Sequence, residues 1–236
     1  MAFSNILPDP VNKITNAGVY NNSTGTAGPG FASVSLRSVR DTQVSRTISG
    51  RGITRSQGSQ YWDLDIQYNP LTRAEFEPVY SFLLSRNGRK SPFFVALPEY
   101  ASPQNAAFAA FVTSNTPTAT AQAAGASNMV ISHASIAGDP SPGDLFTISD
   151  SSNTNHTKAY RVTRSENATV FETAGLGATQ RRIHFVPPLS RAVASGASVI
   201  FKDPKIRCIL KSDVQEYSLG VNNLFQFGLS LEEMQP

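Results

Sequence analysis

The sequence predicts a mainly β protein with one α-helix: a split β-barrel or sandwich domain that carries a small all-β domain inserted in its chain. Three observations predict it. Several segments alternate apolar and polar residues with a period of two, the mark of half-buried strands. A single stretch, at about 72–87, has helical spacing together with start and stop signals. Long strand patterns cease after Tyr100 and return after about residue 202. The expected organisation is an N-terminal arm (1–30), a split domain (31–100 plus 202–236), a linker (101–127) and an inserted β-domain (128–201).

Residues 1–30 contain Pro8, Pro10 and the run NNSTGTAGPG, which cannot build a core element alone. They are expected either to be disordered or to become ordered along a neighbouring subunit. Phe31–Val39 alternates Ala32, Val34 and Leu36 against Ser33, Ser35 and Arg37, a half-buried strand. In 40–60 large apolar residues nearly vanish while Arg40, Arg46, Arg51 and Arg55 recur, which suggests an exposed hairpin turning near Ser49-Gly50 or Arg51-Gly52. Arginines without interleaved aromatics are poor base readers; they suit nonspecific phosphate contacts or ion pairs with a partner.

Tyr61–Leu97 is the anchor of the split domain. Trp62, Leu64, Ile66 and Tyr68 fall on one strand face, with Asp63, Asp65 and Gln67 on the other. Thr72-Arg73-Ala74-Glu75 has the capping-box form, Phe76, Val79, Tyr80 and Leu83 make one apolar stripe, and Asn87-Gly88 stops the helix. Pro78 lies inside it, so a kink or an irregular first turn is expected. Phe93–Leu97 reads as a buried strand ended by Pro98.

Residues 101–127 are rich in Ala, Thr, Ser and Asn and read as a linker. Short strands follow at Met129–His133, Asp144–Ile148, Lys158–Thr163, Thr169–Glu172, Ile183–Val186 and Ser198–Phe201, a small barrel or sandwich without helices. In the last segment Phe225, Phe227, Leu229 and Leu231 form the buried face of a closing strand. That strand completes the sheet begun at Phe31 and Tyr61, and the helix packs across it.

Charged residues make up 16% of the chain and the formal net charge is +3, so no strong field draws nucleic acid or anionic membrane to the whole surface. Cys208 is the only cysteine, which excludes an intramolecular disulfide and fits synthesis in a reducing compartment. No secretory leader or membrane-length apolar run is present, so membrane insertion is not expected. His133, His156 and His184 lie at no ligand spacing, and Asp139, Asp144 and Asp150 match no calcium loop. Gly50-Arg51-Gly52 and Gly175-Leu176-Gly177 lack the helix that a phosphate cradle needs. No catalytic residue, cofactor site or metal site is nominated, and an enzyme is not expected.

The order of parts is itself informative. A polar hairpin, the Trp62 strand, a capped aromatic helix, Asn87-Gly88, an apolar strand ending Leu97-Pro98, and a last strand closing in Leu229-Ser230-Leu231-Glu232-Glu233 together resemble tailed-bacteriophage tail proteins of the tail-tube and distal-tail (baseplate hub) type. Gly143-Asp144-Leu145-Phe146, Tyr160-Arg161-Val162, His184 to Leu189 and Ser195-Gly196-Ala197 are similar to small β-domains inserted in such proteins. The resemblance implies a tail-tube-like split β-barrel with one helix, six copies of which form a ring whose sheets line a DNA channel. It further implies a structural virion component, made in the host cytoplasm, that joins the tail tube to the distal tip. Its partners are then further copies of itself and other tail proteins (tube, hub, baseplate or fibre), with DNA only as passing cargo. Within that picture Arg40, Arg46, Arg51 and Arg55 mark a subunit-contact hairpin. Asp63, Asp65 and Gln67 become the channel-facing residues, their fixed negative charge keeping DNA from sticking. A glycan-binding module is the alternative, with Tyr160, Phe146 and Phe171 as candidate sugar contacts.

Overall fold

The computed structural model describes residues 4–56, 60–172 and 174–235. In chain order the elements are β1 (Phe31–Val39), β2 (Thr42–Arg46), β3 (Gly52–Ser56), β4 (Tyr61–Tyr68), α1 (Arg73–Leu84), β5 (Phe93–Ala96), α2 (Ala106–Ser114), β6 (Thr118–Ala119), β7 (Asn128–Ser132) and β8 (Leu145–Ser149). They continue with β9 (Ala159–Glu166), β10 (Gln180–Val186), β11 (Ser198–Ile200), β12 (Lys205–Leu210), β13 (Ser218–Leu219), β14 (Phe225–Gln226) and β15 (Gly228–Glu233). Two compact units result: residues up to 95 together with 207–234, and residues 96–206.

The first unit is built on a five-stranded sheet of order β1-β4-β15-β12-β5. The last strand, β15, lies between β4 and β12 and is antiparallel to both. Its alternation places Leu229 and Leu231 in the core beside Leu64 and Ile66. Helix α1 covers that face: Phe76 stacks on Phe225 at 4.5 Å and meets Phe227 edge-on, while Phe82 meets Phe93 edge-on. At the helix start the Glu75 carboxylate accepts from the backbone N–H and the hydroxyl of Thr72, at 2.9 and 2.7 Å. These bonds, the backbone one first, hold the Glu75 carboxyl below its ordinary range. The helix runs unbroken from Arg73 to Leu84 through Pro78, without the irregular first turn expected. The carbonyl that loses its partner belongs to Ala74, an exposed residue, so water can replace the missing donor.

Residues 4–30 correct the expectation of a disordered or neighbour-bound arm. They fold back on their own unit. Leu7 is wholly buried, and Ile6 pairs in parallel with Phe94 of β5. The Asp9 carboxylate accepts from the backbone N–H groups of Val11 and Asn12 at 2.8 and 2.6 Å, which satisfies the turn that follows Pro8. Gly28 admits no larger residue, because a Cβ there would lie 2.5 Å from the carbonyl of Pro8.

The second unit is a closed barrel of order β10-β7-β6-β11-β8-β9. Phe146, Tyr160, Phe185 and Phe201 pack ring against ring in its core. The expected linker instead supplies a second helix: α2 lies in 101–127 and sends Phe108, Phe111 and Val112 into the same core. Asn105 caps it, its side-chain oxygen accepting from the N–H groups of Ala107 and Phe108 at 3.0 and 3.1 Å. The expected strand at Thr169–Glu172 is absent. The Asn167 side-chain oxygen takes the N–H groups of Thr169 and Val170, at 2.9 and 2.8 Å, and so spends locally the donors a ladder needs.

Candidate functional site

The residues expected to face a channel lie on the polar side of the five-stranded sheet. On β4, Asp63 stands opposite Arg37 and Glu232, Asp65 opposite Ser35 and Ser230, and Gln67 opposite Ser33 and Gly228. Arg37 reaches both aspartates, with Asp63 at 3.4 Å, and Lys211 pairs with Asp63 from β12's end of the sheet. The Ser230 hydroxyl donates to Asp65 at 2.7 Å, and Arg89 pairs with Glu232 at 3.0 Å. Asp63 is buried, Asp65 half-buried and Gln67 exposed. The face is therefore charge-balanced, and the expectation of fixed negative charge along it is corrected. An isolated carboxylate between strands is costly, and Arg37 on the neighbouring β1 together with Lys211, just past the end of β12, neutralises Asp63.

The expected contact hairpin exists as β2 and β3, paired from Thr42↔Ser56 to Arg46↔Gly52. It turns through Thr47–Arg51, where Gly50 takes the left-handed conformation that glycine adopts at least cost. All ten residues of its two strands are exposed, and it forms a two-stranded sheet of its own. Val44, Ile48 and Ile53 present apolar side chains to solvent. The four arginines do not make one patch. By strand alternation Arg46 and Arg55 point to opposite faces, Arg51 lies in the turn, and Arg40 reaches Ser56 at 3.4 Å. Beside the hairpin, β1 is the edge strand of its sheet, nine residues long and without a buried position.

The groups considered for catalysis hold loops and strands together. Asp144 accepts from the N–H groups of Gln104 and Ser141, and Asp150 from those of Ala194 and Ser152. Asp139 pairs with Arg181. His133 accepts from the Ser135 N–H and packs on Phe111. His156 shares a 2.8 Å hydrogen bond with the Tyr160 hydroxyl, which accepts from the Ser190 N–H. Burial pushes His156 down, an effect that the Asp150 charge partly offsets.

Two features escaped the sequence reading. The buried Glu166 carboxylate gathers Arg164, Arg182 and His184 across β9 and β10. Burial raises its pKa, but hydrogen bonds from His184 and Arg182 outweigh that and leave it lowered. Its signal was a charged residue at the end of a strand, indistinguishable in one dimension from a solvated one. The second is a groove of about 790 Å³ between α1 and residues 14–18, rimmed by Arg73, Glu77 and Arg86. Among the described residues no three His, Cys, Asp or Glu side chains are placed to hold a metal ion. Of the aromatics considered for sugar contact, Phe146 and Tyr160 are wholly buried in the barrel, and only Phe171 is exposed. Two of the three candidate sugar contacts are thereby taken up by the barrel core. Comparison with protein-family models gave no match, and comparison with curated proteins gave none either.

Proposed function

We propose that the chain is a structural, self-assembling protein of a phage tail or baseplate, a ring-former of the distal-tail or tube-initiator kind with no catalytic role. The observation that carries this reading is the β2–β3 hairpin. A two-stranded hairpin is marginal in water on its own, and this one places every strand residue in solvent. Its exposed Val44, Ile48 and Ile53 and its arginines gain most from a partner surface. The exposed edge of β1, which leads directly into the hairpin, offers a second contact to the same neighbour. In such a ring the face bearing Asp63, Asp65 and Gln67 lines the channel, and its internal pairing leaves passing DNA neither a cationic surface to bind nor an anionic wall.

Native mass measurement and electron microscopy of the purified protein test the reading. The expected result is a closed ring of six chains of 25.4 kDa each. Replacing Arg46, Arg51 and Arg55 together by glutamate should abolish the ring and leave the monomer folded. A protein that stays monomeric at high concentration, alone and with its genomic neighbours, refutes the proposal.

A further inference from the structure

We infer that residues 4–8 are a strand terminator, which seals the β5 edge of the five-stranded sheet against addition of β1 from a second copy of this chain. The two edges of that sheet are treated differently. On the β1 side, no described strand pairs with the outer edge of a nine-residue strand. On the β5 side, the N-terminal segment lies along the edge: Phe94 N–H donates to the Asn5 carbonyl at 2.7 Å, and Leu7 N–H donates to the Phe94 carbonyl at 2.8 Å.

An added segment normally just creates a new edge, because alternate residues turn their own N–H and C=O groups outward. Here those groups belong to Ile6 and then to residue 8. Both are spent. The Ser4 hydroxyl accepts from the Ile6 N–H and donates to the Ile6 carbonyl, each at 3.2 Å. Residue 8 is proline and has no N–H to offer. The segment is also well fastened. Leu7 is wholly buried, the Ser4 N–H donates to the Gly18 carbonyl at 2.8 Å, and the Arg86 guanidinium donates to the Ser4 carbonyl at 3.1 Å. The physical need is clear from the other edge. A long, half-apolar β1 that met an open β5 edge would form a head-to-tail contact, and such contacts run to filaments unless the rotation closes. With β5 sealed, β1 and the hairpin of one copy are left to meet other surfaces of the next. The inference does not depend on the ring being hexameric or on the protein belonging to a tail.

The test is made on the full chain. Ser4→Ala with Pro8→Thr restores two outward donors at positions 6 and 8 and leaves Leu7 in place. Sedimentation and light scattering should show this variant growing with concentration into species larger than the unaltered protein forms. Adding Ser33→Lys and Ser35→Lys, both at exposed positions of β1, should return the size to that of the unaltered protein or below it. A second variant lacking residues 1–8 should polymerise in the same way, provided hydrogen exchange still finds β4 protected. If the S4A/P8T protein keeps the unaltered mass at every concentration, or if its polymers are indifferent to the β1 lysines, the inference is wrong. Failure of the ring reading is visible separately, in the mass of the unaltered protein.

Discussion

Replacing Phe76 by alanine asks how far the C-terminal segment and α1 share one core. The Phe76 ring is buried and stacks on Phe225 at 4.5 Å and Tyr80 at 5.0 Å, with Tyr217 at 5.1 Å and Phe227 edge-on at 5.6 Å. Emptying such a site costs about 3–5 kcal/mol. Cys208 provides the readout. It is the chain's only cysteine and is wholly buried on β12; burial first, and then the Glu233 charge, push its thiol up, so it is unreactive in the folded unit. When closing is faster than labelling, the rate of thiol modification follows the opening equilibrium. At about 1.4 kcal/mol per decade, F76A should speed Cys208 labelling by roughly 10² to 10³ or more. A double-mutant cycle with Phe225→Ala should return a coupling of about 0.5–1.5 kcal/mol for the stacked pair. Labelling accelerated less than about tenfold, or zero coupling to Phe225, refutes the claim that the last strands close the helix's core.

Other outcomes follow from the same contacts. Asp63→Lys sets a third cation between Arg37 and Lys211 and should destabilise the first unit by about 2–3 kcal/mol, less than a fully buried pair because both partners are partly solvated; Asp65→Lys should cost under about 1 kcal/mol, and urea unfolding compares them. His156 titrates below its ordinary 6.5 in the folded barrel, so the unfolded chain takes up the proton first and stability falls as pH drops below 6.5, until the folded pKa is passed. Asp150 and Glu166, both held low, add further loss as pH falls through their folded values; His156→Gln should flatten only the upper part of a stability–pH curve. Gly138→Ala forces a side chain onto a residue at φ +68°, its Cβ 2.7 Å from the Phe108 nitrogen at the start of α2, and should lower barrel stability by about 1–3 kcal/mol in hydrogen exchange. A fragment ending at residue 203 loses β12 and β15 and should leave β4 unprotected; a cooperatively folded fragment contradicts the split unit.

Much of the architecture was legible because local rules agreed with the tertiary outcome. Trp62 to Tyr68 alternates in sequence and in space, and Thr72 with Glu75 starts a helix as its spacing says. Helix α2 was legible in principle: Phe108, Phe111 and Val112 stand at i, i+3 and i+4 after an Asn cap, but an Ala-rich neighbourhood hid the stripe. The strand expected at Thr169–Glu172 failed for a different reason, since β propensity is overruled when an asparagine side chain captures the backbone donors.

The sequence by itself determined most of the long strands, which face of each is apolar, and that a hairpin of arginines stands in solvent. Those properties depend on neighbours a few residues apart. Only the tertiary structure decided that Asp63 is buried between Arg37 and Lys211, that Glu166 gathers three cationic or titratable partners, and that residues 4–8 close one edge of a sheet whose other edge is left open. Each of these includes contacts between residues distant in the chain, some of them more than 80 positions apart as in the bond from Arg86 to Ser4. The free energy of a charge or of a backbone donor is set by what the fold brings against it, and no local pattern carries that information.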